Sequence, residues 1–71
     1  MSIELKFAKR LRELRKMKGL TQEALAEKAG LEYKYIQMLE GKTPPSATLR
    51  TLDKLAKALD IELSKMITFK S

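Results

Sequence analysis

GLTQEALAEKAGLEYKYIQMLEG, residues 19–41, decides how this chain folds. Two helical patterns meet in it at Gly30. Thr21 is placed as an N-cap, where its hydroxyl oxygen reaches the free amides of the next turn. Leu20 before the cap and Leu25 after it have the spacing of a hydrophobic staple. Leu31 and Ile36 repeat that spacing one helix later, for a start near Glu32 or Tyr33. Leu25, Ala26 and Ala29 make the inward side of the earlier helix, and Ile36 and Leu39 that of the later one. Gly30 suits the left-handed conformation that ends a helix and turns the chain. The stretch therefore reads as a short helix, a tight turn around Gly30-Leu31-Glu32, and a second short helix ending at Gly41.

The same helical period runs outward on both sides, and no stretch alternates apolar and polar residues as a half-buried strand does. Upstream, Ile3, Phe7, Leu11 and Leu14 recur at spacings of four, four and three, one apolar stripe that stops at Gly19. Lys6, Lys9, Arg10, Arg12 and Lys16 lie mostly off that stripe. Downstream, Pro44-Pro45 forbids helix, so residues 41–46 form a loop. Ser46 is a candidate N-cap for the next helix and Thr48 is its rival. Leu49, Leu52, Leu55, Ala56 and Leu59 make the inward side of that helix, with Arg50, Lys54 and Lys57 outside. After a break near Asp60-Ile61-Glu62, a last short helix over about residues 62–68 carries Leu63, Met66 and Ile67, followed by Phe69. The expectation is one all-α domain over residues 1–71, near the lower size limit for a chain that folds alone. A second subunit would add to so small a core.

With no cysteine and no histidine among 71 residues, disulfides, thiolate chemistry and the usual metal ligands and general bases are excluded. Neither a catalytic constellation nor a cofactor or small-molecule site stands out, so an enzyme is not expected. No run approaches the roughly 20 apolar residues of a membrane-spanning helix. Met1-Ser2-Ile3-Glu4 lacks the layout of a signal peptide, so a cytoplasmic protein is expected. Fifteen basic against nine acidic residues give a net charge of +6. Residues 1–18 hold seven bases and two acids, residues 19–41 two bases and four acids, and residues 42–71 six bases and three acids. Such a balance favours a polyanion, nucleic acid first. The alternative is a solubilising lysine-rich surface.

The later helix of the quoted stretch, about residues 32–40, carries the most specific signal. At about 100° per residue, Ile36, Leu39 and Glu40 share one side and Tyr33, Lys34, Gln37 and Met38 the other. Lysine donates to guanine or to phosphate, glutamine pairs with adenine at two points, and tyrosine and methionine offer apolar contact to a thymine methyl. That is the mix a helix needs to read base edges in the major groove. The bland alternative is a solvated face whose aromatics help to cover the core. The net −2 of residues 19–41 requires the basic flanks to hold phosphate while the helix reads. Gln22 at the amide end of the earlier helix, and Lys42, Thr43 and Arg50 beyond the later one, are the candidates for that grip.

Gly19-Leu20-Thr21-Gln22-Glu23-Ala24-Leu25-Ala26-Glu27-Lys28-Ala29-Gly30-Leu31, then Tyr35-Ile36, Leu39-Glu40-Gly41-Lys42 and Leu52-Asp53-Lys54-Leu55-Ala56-Lys57-Ala58-Leu59, resembles the Cro and phage-repressor type of helix-turn-helix domain. The likeness covers about residues 5 to 67 and is closest to restriction–modification controller proteins and small phage-type repressors. It implies a compact, lambda-repressor-like bundle of four or five helices and transcriptional control without catalysis. It also implies a homodimer on a palindromic operator in double-stranded DNA, with a helix-turn-helix unit at about residues 21–40. By position it implies that Gln22 meets phosphate or base, that Tyr33, Lys34, Gln37 and Met38 face the major groove, and that Tyr35 packs beside the backbone. Lys42 and Thr43 would touch phosphate. Arg15 and Glu40 correspond to a structural ion pair between the first and third helices. Leu63, Met66, Ile67 and Phe69 would contribute to the dimer surface. The sequence departs from the family pattern where Glu32 caps the third helix, where Met38 replaces a residue that is often basic, and where Gly41 follows Glu40 directly. Two other readings use the same fold: an antitoxin, which predicts an adjacent toxin gene, and a protein-only adaptor, which predicts weak affinity for every duplex.

Overall fold

The computed structural model describes residues 1–69, and among these it contains five helices and no strand. They are α1 (Ile3–Met17), α2 (Gln22–Ala29), α3 (Tyr33–Leu39), α4 (Leu49–Ala58) and α5 (Leu63–Met66). The start and stop signals are local. Ser2 Oγ accepts from the Leu5 N–H at 3.2 Å, Thr21 Oγ1 from Ala24 at 3.0 Å, and Thr48 Oγ1 from Thr51 at 3.2 Å. Thr48 is therefore the cap of α4. Ser46, the other candidate, instead donates to Glu4 Oε2 at 3.1 Å and ties the proline loop to α1.

Three helix ends share one device. At Gly30 (φ 68°) the Leu31 N–H reaches the Ala26 carbonyl at 2.9 Å, and the Gly30 N–H reaches Glu27 at 3.3 Å. The same doubled closure occurs at Gly19 and, without a glycine, at Asp60 (φ 55°). Each is followed by an aliphatic residue, Leu20, Leu31 or Ile61, that packs against the core. A left-handed residue followed by an apolar one thus turns the chain and seals the turn in the same step.

The core is built from Phe7, Leu11 and Leu14 of α1, Leu25, Ala26 and Ala29 of α2, and Ile36 and Leu39 of α3. Leu55, Ala56, Leu59 and Met66 complete it from the C-terminal half. α2 packs on α3 and α4, and α5 on α4 and α1. Two residues of the expected stripes lie outside: Ile3 is 65% exposed and Leu49 77%. Both stand at the first residue of their helix, where the stripe continues but the packing leaves it largely uncovered. Spacing defines a face, and only packing defines how much of it is covered.

The last helix is shorter than the expected 62–68, a single turn over Leu63–Met66. Met66 is fully buried, so it belongs to the core of one chain and has no surface left to offer a second copy. That corrects its placement in the dimer surface. With 100° between neighbours, Met66 turns inward and Ile67, at 41% exposure, turns out.

Candidate nucleic-acid interface

α3 is held from behind by a polar network centred on Glu40, the one buried charged residue among the described residues, with only 2% of its side chain exposed. Arg15 of α1 donates through Nε to Oε2 at 2.8 Å and through Nη2 to Oε1 at 3.0 Å, the two-point geometry that suits guanidinium and carboxylate. Its third nitrogen, Nη1, donates to the Leu20 carbonyl at 2.7 Å. Gln22 of α2 adds Nε2 to Glu40 Oε1 at 3.1 Å, and Arg12 donates to the Glu40 backbone carbonyl at 2.8 Å. One residue at the C-terminal end of α3 is thereby bound to α1 and α2 at once. Arg15 and Glu40, expected to pair, stand 2.8 Å apart.

The contributions of Gln22 and Arg12 were not read from the sequence. A signal existed: Arg12 and Arg15 lie three apart on α1 and so share a side of it. Gln22 is half-buried, and one N–H of its amide is committed to Glu40.

Beyond Glu40 the chain turns tightly. A β-carbon at Gly41 would stand 3.2 Å from the Gln37 carbonyl and 3.4 Å from that of Met38, so a side chain there would press on the last turn of α3. The departure from the family spacing at this point therefore fits a glycine. Glu32 stands at the N-cap of α3 with no side-chain cap hydrogen bond, and its backbone carbonyl accepts from Tyr35 at 3.1 Å and Ile36 at 3.2 Å.

The two sides of α3 separate as the spacing requires. Ile36 and Leu39 are fully buried, while Lys34 and Gln37 are exposed, Tyr33 is 43% exposed and Met38 48%. Gln37 Nε2 donates to the Tyr33 hydroxyl at 3.1 Å, one turn back along the same face. Tyr35 stands apart from this group, half-buried against the core. Lys42 and Thr43, in the loop that follows, are exposed, as is Arg50 on α4. The outward face of α3 is thus a contiguous set of two donors or acceptors, one cation and one thioether, on a helix that its neighbours hold still.

At the C-terminal end, Ile67 is exposed, and Leu63 and Phe69 are half-buried against the core. Arg10 fixes this end to α1 by donating to the Lys65 carbonyl at 3.0 Å. Among the described residues no helix is long and apolar enough to cross a membrane, and no group of three acidic, histidine or cysteine side chains is placed to hold a metal ion.

The sequence model of the helix-turn-helix family matches residues 11–66. The chain is 41% identical over 68 residues to the control protein C.SmaI of Serratia marcescens, an alignment that spans 96% of this chain and 80% of that one. Among solved structures it is similar to the restriction–modification controller protein C.AhdI of Aeromonas hydrophila, with 44% identity and a TM-score of 0.83 over 89% of this chain and 94% of that one. It is also similar to C.Esp1396I bound to a 25 base pair operator site, with 27% identity and a TM-score of 0.83 over 94% and 91% of the two chains.

Proposed function

The chain belongs to the helix-turn-helix family, and from that premise we propose that it is a sequence-specific, DNA-binding transcriptional regulator of the restriction–modification controller kind. The observation that carries this reading is the division of α3. Its inner side is anchored by Ile36, Leu39 and the Glu40 network, and its outer side presents Tyr33, Lys34, Gln37 and Met38 free of the core. A helix of this width fits the major groove, and these side chains match the donors, acceptors and methyl groups displayed there. Gln22, Lys42 and Thr43 flank it and hold phosphates, with Tyr35 packed beside the backbone. The basic regions outside residues 19–41 supply the attraction that the reading unit itself lacks.

The whole chain acts as one domain, its helix-turn-helix unit running from the Thr21 cap to Glu40. Two copies bind a palindromic operator in double-stranded DNA, their α3 helices entering successive major grooves about 34 Å apart. Leu63, Ile67 and Phe69 contribute to the surface between the copies. The protein works in the cytoplasm, where its DNA lies, and its mechanism is binding without a chemical step or a cofactor.

Selection from a random duplex library tests this. Enrichment of one motif with two-fold symmetry is expected. Recovery of no motif would end the specific-regulator reading. A monomer at high micromolar concentration in sedimentation would remove the dimer from it.

A further inference from the structure

Gln37 is not a free side chain. Its amide is held from the preceding turn by the Tyr33 hydroxyl at 3.1 Å, both residues being exposed on the outward face of α3. A lone exposed glutamine samples many rotamers, and ordering it on binding costs part of the affinity it brings. The tether removes much of that cost in advance.

The tether also sets what the amide displays. A primary amide has two N–H donors and a carbonyl with two lone pairs. One N–H is spent on Tyr33, which leaves one N–H and the Oε1 acceptor of an exposed amide unengaged. Adenine in the major groove presents an acceptor, N7, beside a donor, N6–H, the complement of that pair. Guanine presents two acceptors, N7 and O6, and leaves Oε1 without a donor. Cytosine and thymine each offer only one half of the match. The phenol keeps its own hydrogen, since its oxygen is the acceptor in the tether, so Tyr33 still has a donor to give.

We propose that Tyr33 is a positioning residue that locks Gln37 as an adenine reader, so that the two side chains act as one specificity-determining unit. This rests on the reading of α3 as the base-contacting helix. Each half-site contains one adenine whose recognition depends on both residues. Lys34 and Met38, on the same face but outside the tether, act on other positions.

The test uses the full chain and its own selected operator. Every base pair of one half-site is substituted in turn, and binding is measured for the wild type, Gln37→Ala, Tyr33→Phe and the double variant. Tyr33→Phe keeps the ring and removes only the hydroxyl, so the fold is undisturbed, and circular dichroism checks that. Gln37→Ala is expected to cut the preference for adenine at one position by about tenfold to a hundredfold. Tyr33→Phe is expected to cut it at the same position by about threefold to tenfold, as the loss of one hydrogen bond implies. The double variant should be no worse there than Gln37→Ala alone, because the hydroxyl acts through the amide. Replacing that adenine with 7-deazaadenine, which removes N7 and keeps N6–H, should narrow the difference between the wild type and Gln37→Ala without closing it. The slope of affinity against salt should be the same for all four proteins, since no phosphate contact changes.

The inference is overturned if Tyr33→Phe leaves the Gln37-dependent position unchanged, if its loss adds in full to that of Gln37→Ala, or if the dependent base is not adenine. Failure of the wild type to select any motif would instead overturn the DNA-reading function itself, so the two failures are distinct.

Discussion

Removing the Arg15–Glu40 pair in halves should be far more damaging than removing it whole. In Arg15→Met the Glu40 carboxylate, 2% exposed, keeps only the Gln22 amide at 3.1 Å. In Glu40→Met the guanidinium, 11% exposed, keeps only the Leu20 carbonyl at 2.7 Å. Each single variant strands a buried charge and should lose about 3–5 kcal/mol. A domain of 71 residues has a total stability of about 4–11 kcal/mol, so two such losses added together would remove most or all of it. The double variant strands no charge. It gives up the partners of the Leu20 carbonyl and the Gln22 amide, about 1 kcal/mol each, and gains apolar contacts in the same space. It should therefore fold and lie within about 2 kcal/mol of the wild type, more stable than either single variant. Urea unfolding followed by circular dichroism at pH 7 measures all four proteins, with linear extrapolation to water. The exposed Asp53–Lys57 pair, at 3.2 Å with side chains 54% and 78% exposed, serves as the control, worth about 0.3–0.5 kcal/mol. If each single variant loses less than about 1 kcal/mol, or if the double variant is unfolded while the singles are folded, then Glu40 is not the buried hub described here.

Three further tests follow from particular contacts. Gly30→Ala meets no atom within 4 Å, so its cost is the left-handed backbone alone, about 1 kcal/mol, whereas Asp60→Gly at φ 55° should add about 0.5 kcal/mol; thermal unfolding reads both signs. Met66→Ala should lose about 2–5 kcal/mol in urea unfolding while Ile67→Ala loses less than 1 kcal/mol, because Met66 fills the core of one chain and Ile67 does not. Lys34→Ala should lower operator affinity, and if its ammonium holds a phosphate the slope of log affinity against log salt should flatten by about one, as titration at several salt concentrations measures.

Where the chain signals itself locally, sequence and structure agree closely. Thr21, the Leu20–Leu25 and Leu31–Ile36 staples and Gly30 act within a few residues of where they stand, so the two central helices and their turn were legible. The two faces of α3 were legible for the same reason, since a helix of 100° per residue separates Tyr33, Lys34, Gln37 and Met38 from Ile36 and Leu39 without reference to anything outside it. The cap of α4 was legible only as a choice between Ser46 and Thr48. A residue 42 positions away decided it, by drawing Ser46 to Glu4. Arg15 and Glu40 were visible as a pair through resemblance, while Gln22 and Arg12 joined the network only once α1, α2 and α3 met.

What the amino-acid sequence determined by itself was the set of helices, their inner faces and the identity of the outward group on α3, all properties of short-range geometry. Only the tertiary structure decided which parts of those faces were covered. Ile3 and Leu49 sit on correct stripes yet are left largely uncovered, and Met66 sits on a helix read as a dimer surface yet closes the core of its own chain. It also decided that Gln37 is tethered and Gln22 shared with Glu40, because an exposed amide takes whichever partner the fold brings within 3 Å or so. Periodicity assigns a direction to each side chain, and the distance to the next element assigns its contact.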